Sequence, residues 1–219
     1  PELLVQFASV LASGMKGIML FQSDIRSKDA DEDAWNHAGK FMQSVQLLQE
    51  TLRVSDAQGA KFETSANENG GAIVSVLGGP ETSIVMFINT NAGGYSDKTC
   101  AVPTGGQHWE WKEVKVDSTV VTLNQNLVDA ATAAGMKPSE YFGVYEVNGD
   151  KYVSNPDDVT VDFDDDMGTF TLKNTKLGAS VSVVRSFILK SKAQSSVSAA
   201  TTPRDKSPVM MEVVQTAQD

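Results

Sequence analysis

Apolar residues recur at helical spacing over residues 1–13, where Leu3, Leu4, Phe7, Ala8, Val10 and Leu11 share one side and Pro1 suits a first helical turn. Gly14 stands where a C-cap glycine belongs. The pattern then changes character. Gly17-Ile18-Met19-Leu20-Phe21 is a short run apolar on both faces that stops abruptly on Gln22, Ser23 and Asp24. Such runs are typical of parallel strands covered on both sides. A polar loop, SDIRSKDADED, offers Ser27, Asp29 and Asp31 as N-caps, with acids clustered where the helix dipole favours them. Ala34, Trp35, Ala38, Phe41, Met42, Val45, Leu48 and Leu52 then make an i, i+3, i+4, i+7 stripe ending near Arg53-Val54-Ser55. The first quarter reads helix, buried strand, helix, a fragment of alternating α/β architecture.

From Gly59 the period falls to two. Segments 62–66, 72–77 and 83–89 are strand-like and are separated by the turn signals NENGG and GGPET; 99–102, 108–116 and 119–123 continue the pattern. A short helix is expected over 129–134, stopped by Gly135 and Pro138. Residues 142–147 meet 151–153 across Asn148-Gly149, a strong two-residue hairpin signal. Segment 159–163 pairs with 169–172 through DDDMG, and 181–189 closes the series. Roughly eight to ten short strands with turns between them predict an antiparallel β-sandwich. After Lys190 the chain turns Ser/Ala/Thr-rich without periodicity, as a mobile tail does.

A parallel strand needs neighbours on both edges and helices on both faces. The segment around Ile18 fits the last βα unit of a (β/α)8 barrel, with residues 1–13 as the seventh helix, Gly17 to Phe21 as strand eight and Asp31 to Arg53 as the eighth helix. Its lateral mates would come from polypeptide upstream of Pro1, where the chain opens inside an apolar helical pattern. Strand C-terminal ends of such barrels face the active site, which puts Gln22 and Asp24 at a catalytic rim; a solvated loop start is the plainer alternative. The expected fold class is α/β followed by all-β: the terminal βα unit of a (β/α)8 barrel over 1–57, a C-terminal antiparallel β-sandwich over 58–190, and a flexible tail over 191–219.

A strand of the form G-(I/V)-x-x-F-Q within GMKGIMLFQSD, a Trp-containing final helix at Trp35 and a following β-sandwich resemble the C-terminal end of clan-A-type (β/α)8-barrel glycoside hydrolases. The resemblance implies a carbohydrate-active protein of the extracellular or secretory space that works with paired carboxylates. It also implies that those carboxylates lie on earlier barrel strands, so no catalytic residue is assigned here and this chain alone is expected to be inactive. Gln22 and Asp24 would at most bind sugar hydroxyls. The partners implied are a polysaccharide or glycoside and the missing N-terminal barrel portion. No cofactor or metal is expected.

Composition narrows the alternatives. The net charge of −10 and pI near 4.7 over 219 residues argue against a nucleic-acid partner and against binding to anionic membrane. The longest apolar runs, such as Ile84 to Ile88, are far too short to span a bilayer. One cysteine, Cys100, and two histidines, His37 and His108, exclude a disulfide framework and a multi-His metal site. Cys100 reads as a buried strand thiol or a bridge to something outside the chain. In HWEW, Trp109 and Trp111 fall on one strand face; they are either core residues or a sugar-stacking platform. The acids of VDFDDDMG lack the Gly and Glu spacing of an EF-hand, leaving an acidic hairpin tip or an irregular calcium site. NTNAGGYSD reads as a turn-rich connection, and no G-x-S-x-G elbow is present. The rivals to the hydrolase-like reading are a non-catalytic extracellular structural protein and a carbohydrate-binding β-sandwich anchored by Trp109 and Trp111.

Overall fold

In a computed structural model of the chain, which describes residues 2–16, 32–56, 60–66, 70–95, 109–156, 158–179 and 181–193, every strand pairing is antiparallel. One sheet runs β1-β6-β10-β9, built from Lys61–Thr64, Val114–Thr122, Thr169–Leu177 and Thr160–Asp164. The other runs β2-β3-β11-β7-β8, built from Ala72–Gly78, Ser83–Asn89, Val184–Ser191, Phe142–Asn148 and Lys151–Ser154. Between them lies a core of Phe87, Phe142, Phe170, Phe187, Leu127 and Leu172 with their neighbours. Phe87 and Phe187 meet edge-on at 5.6 Å, the geometry their ring quadrupoles favour.

The outer face of the five-stranded sheet is not left to water. Helix α1 (Glu2–Ala12) and helix α2 (Glu32–Val54) lay their apolar stripes against it. Ala8, Leu11, Ala12, Leu48 and Leu52 join Leu77, Ile84, Met86, Ile88 and Ile188 in a second core. Strand β3 is therefore buried at all seven positions, apolar toward the core and apolar toward the helices. Side-chain bonds between elements fix the helix layer. The Ser75 hydroxyl donates to the carbonyl of Ala12 at 2.6 Å. The Lys16 ammonium donates to the carbonyls of Leu52 (2.9 Å) and Ser55, capping the negative end of α2.

This arrangement corrects the expected fold class. The described residues form a mostly β structure of two antiparallel sheets with few helices, and no barrel-like α/β unit. The run Gly17 to Phe21, on which the barrel reading rested, lies outside the described residues. The physical reason for the error is that periodicity shows that a helix buries a face, not what it buries it against. The stripes of α1 and α2 are satisfied by an antiparallel sheet. A strand covered on both sides likewise does not require parallel neighbours: β3 has that character within an antiparallel sheet because helices supply its third layer.

Two shorter helices complete the fold. Helix α3 (Gln125–Ala133) starts at Asn124, whose side-chain oxygen accepts from the amide of Leu127 at 3.1 Å while its amide donates to the carbonyl of Gly79 at 2.8 Å. Helix α4 (Pro138–Tyr141) is capped from another part of the chain: the Asp165 carboxylate accepts from the Ser139 amide (2.8 Å) and hydroxyl (2.7 Å). Two further acids of VDFDDDMG are occupied locally, Asp162 with the Lys173 ammonium at 2.6 Å and Asp164 with the amide of Met167 at 3.0 Å.

The hydroxyl of Ser139 chiefly holds the Asp165 carboxyl below the ordinary aspartate range; slight burial opposes it, and the Ser139 amide and Lys137 assist. A folded-state pKa below the unfolded one means stability that is present above the ordinary value and lost as pH falls through the lowered one. Asp165→Asn is expected to lower the urea midpoint at neutral pH and to flatten its fall between about pH 4 and pH 2. An unchanged acid limb of the midpoint-versus-pH curve would assign the acid sensitivity to other carboxylates.

Candidate functional site

A two-stranded ribbon stands apart from both main sheets, formed by β4 (Ala92–Tyr95) and β5 (Trp109–Trp111). Its base is set by Asn89, fully buried at the end of β3. The Asn89 amide donates to the carbonyls of Lys112 and Gly178, both at 2.8 Å, and its oxygen accepts from the amide of Asn91 at 2.8 Å. The amide of Lys112 in turn donates to the carbonyl of Asn91 at 3.0 Å. One buried side chain therefore grips the backbone where the chain enters and leaves the ribbon.

The ribbon's register brings aromatic residues together. Ala92 pairs with Trp111 and Tyr95 with Trp109, so three steps along β4 match two along β5. That extra residue is a β-bulge, placed at Gly93-Gly94, where the missing side chains tolerate it. Without it, Ala92 and Tyr95, an odd number of residues apart, would lie on opposite faces. With it, the backbone register sets Tyr95 opposite Trp109. Trp111 is half-buried. Of the candidate residues named from sequence, Trp109 and Trp111 are the two ends of β5, while Gln22 and Asp24 lie outside the described residues, as do Cys100 and His108. Tyr95 was not singled out by the sequence. The signal for it was available: a Gly-Gly pair two residues into an extended segment that faces an alternating Trp-x-Trp.

A cavity of about 280 Å³ opens between the two long helices and the end of the five-stranded sheet, bordered by Leu4, Lys40, Phe41, Asn148, Glu146 and Arg185. Arg185 is the one charged side chain in the buried set among the described residues. Its guanidinium donates to Glu146 through Nε and Nη2 (both 2.7 Å), and to Asp158 through Nη1 (2.7 Å) and Nη2 (3.0 Å); a further bond from Nη1 reaches the carbonyl of Lys176 at 3.2 Å. All five N–H donors are spent. Burial works against the Arg185 charge, but the hydrogen bonds it donates to Glu146 and Asp158, with their negative charges, outweigh it and hold the guanidinium above its ordinary pKa. Glu146 and Arg185 belong to one sheet and Lys176 to the other, so the cluster ties the two layers together. It has no donor left for a ligand. Among the described residues no group of His, Cys, Asp and Glu converges to hold a metal ion, and no helix is long and apolar enough to cross a membrane.

Neither a scan against protein-family models nor a search of curated proteins finds a match to this chain.

Proposed function

We propose that this chain is a non-catalytic, carbohydrate-contacting β-sandwich module of an extracellular carbohydrate-active, glycoside-hydrolase-like protein, and that its ligand is a polysaccharide. The observation that supports this reading is the bulged ribbon outside both main sheets, whose register pairs Tyr95 with Trp109 and sets Trp111 two positions along the same strand. The C–H faces of pyranose rings pack on aromatic rings, and flat residues held on a short, pinned ribbon lose little conformational freedom when they bind. The acidic chain, at −10, suits a neutral polymer better than an anionic one.

The test is a glycan array probed with the full chain, followed by affinity measurements on the polysaccharide it selects. Trp109→Ala and Trp111→Ala are each expected to weaken binding by about tenfold or more, about 1.4 kcal/mol or beyond, with each variant still cooperatively folded. Binding indifferent to both substitutions would refute the ribbon as the contact surface. Release of reducing ends from the bound polysaccharide by the purified chain would refute the non-catalytic part of the reading.

A further inference from the structure

A second concavity, of about 410 Å³, runs between α2 and the β7–β8 hairpin, within the span of roughly 300–1,000 Å³ usual for small-ligand sites. Gln43, Gln46 and Glu50 form one wall, Asp150 the other, and Tyr152 and Lys190 the floor. The floor is half-buried, which separates it from an ordinary solvated helix face. The Lys190 ammonium lies 4.5 Å from the centre of the Tyr152 ring, and the Tyr152 hydroxyl donates to the carbonyl of Leu47 at 3.4 Å. Burial pulls the Lys190 ammonium below the ordinary lysine range and pushes the Tyr152 phenol above its own.

Four other polar groupings among the described residues are consumed by the fold. Arg185 is saturated, Asp165 caps α4, Asp162 holds Lys173 and Asn89 holds the ribbon. The groove differs. Among the described residues, the side-chain amides of Gln43 and Gln46 and the Asp150 carboxylate have no hydrogen-bond or ion-pair partner, and Lys190 has no carboxylate within ion-pair reach. A half-desolvated ammonium, two free amides and a free carboxylate therefore face one space beside an aromatic ring.

We propose that this groove is a second binding site, independent of the ribbon, for one or two rings of a neutral polyhydroxylated ligand such as a sugar. Amides and carboxylates each present two polar atoms side by side, the spacing that grips adjacent hydroxyls, and Lys190 donates to a hydroxyl or ring oxygen. Tyr152 supplies the apolar wall that sugar C–H groups require. Asp150 opposes the charge of Lys190 across the groove, and Glu50, itself 3.5 Å from Arg53, adds no net attraction for an anion.

The test titrates the full ¹⁵N-labelled chain with cellobiose, maltose and digalacturonate in turn, at millimolar concentration, reading the side-chain amide signals of Gln43 and Gln46 and the indole signals. At least one neutral disaccharide is expected to shift the two glutamine signals. Gln46→Ala should weaken that binding by about fivefold or more, and Trp109→Ala should leave it unchanged. Lys190→Met should weaken it similarly; if that variant fails to fold, the exposed Gln43→Ala takes its place. Silent glutamine signals with both neutral sugars would overturn the proposal, as would a response to digalacturonate alone. Polysaccharide binding that depends on Trp109 while the groove stays silent removes this site and leaves the proposed function standing. Groove shifts without any dependence of polysaccharide binding on Trp109 or Trp111 support this site and remove the ribbon.

Discussion

Arg185→Met is expected to lower the unfolding free energy by about 3–5 kcal/mol, the usual result of removing one partner from a buried ion cluster. The cost comes less from lost attraction than from what is left behind. Glu146 is itself mostly shielded, with a side chain 17% exposed, and without Arg185 its two oxygens face the interior of the sandwich with no donor. A domain of this kind has about 5–15 kcal/mol in total, so the variant should be folded only marginally at 37 °C. Asp158 is more open, at 39%, and water can replace its contact; Asp158→Asn should cost about 1 kcal/mol or less. The double variant Arg185→Met, Glu146→Leu should recover much of the loss, because the unpaired charge is gone. Urea denaturation of the set measures all of this. A loss under about 1 kcal/mol for Arg185→Met would show that Glu146 reaches solvent and that the cluster does not tie the sheets together. The guanidinium adds no titration near neutrality: its raised pKa means its stabilisation is present below the ordinary arginine value and lost only as pH rises beyond it.

Much of the strand pattern was legible because each strand carries its own evidence. Segment 83–89 is β3 to the residue, and the GGPET and DDDMG turns separate strands that do pair. Where the pattern misled, a tertiary cause can be named. The alternation over 108–123 breaks, which suggested two strands divided near Ser118. The actual break falls at Lys112-Glu113, between the ribbon and β6. Within β6 the buried positions change phase between Val116 and Thr119, and β10 does the same between Leu172 and Thr175 with Asn174 at φ 62°. Two paired strands turn over together, and no single strand's pattern can announce that. The hairpin near Asn148 also shifted by one residue: Asn148 pairs with Lys151, so the loop is Gly149-Asp150 with positive φ at the glycine, as a type II′ turn requires.

The candidate site was half legible. Trp109 and Trp111 announce a shared face through simple alternation. Tyr95 does not, because its placement depends on a bulge whose register exists only once two distant segments pair. Arg185 was invisible for a similar reason. A single arginine in an apolar strand says nothing until Glu146 and Asp158, 39 and 27 residues away, are brought beside it. The barrel fold class failed at the same level, since it assigned partners to helix faces that the sequence leaves unspecified.

The second large effect concerns those helix faces. Phe7→Ala is expected to cost about 3–5 kcal/mol, as for other buried phenylalanines, and to do so within one cooperative transition. Phe7 is 6% exposed and stacks on Phe41 at 6.2 Å, joining α1 to α2 where both cover the five-stranded sheet. Next to it on α1, Ala8 and Leu11 share a cluster with Ile84, Ile88 and Ile188 of that sheet. If the helix layer is continuous with the sandwich, truncating Phe7 removes support from β3 and β11, and far-UV helix signal and near-UV tryptophan signal should move to lower urea together. If the helices belonged instead to a separate unit, the helix signal alone would shift and the sheet would unfold at its original midpoint. The second outcome would show that the helix pair unfolds independently of the sandwich. The first would fix the helices as its third layer, because among the described residues it is α1 and α2 that cover the outer side of β3.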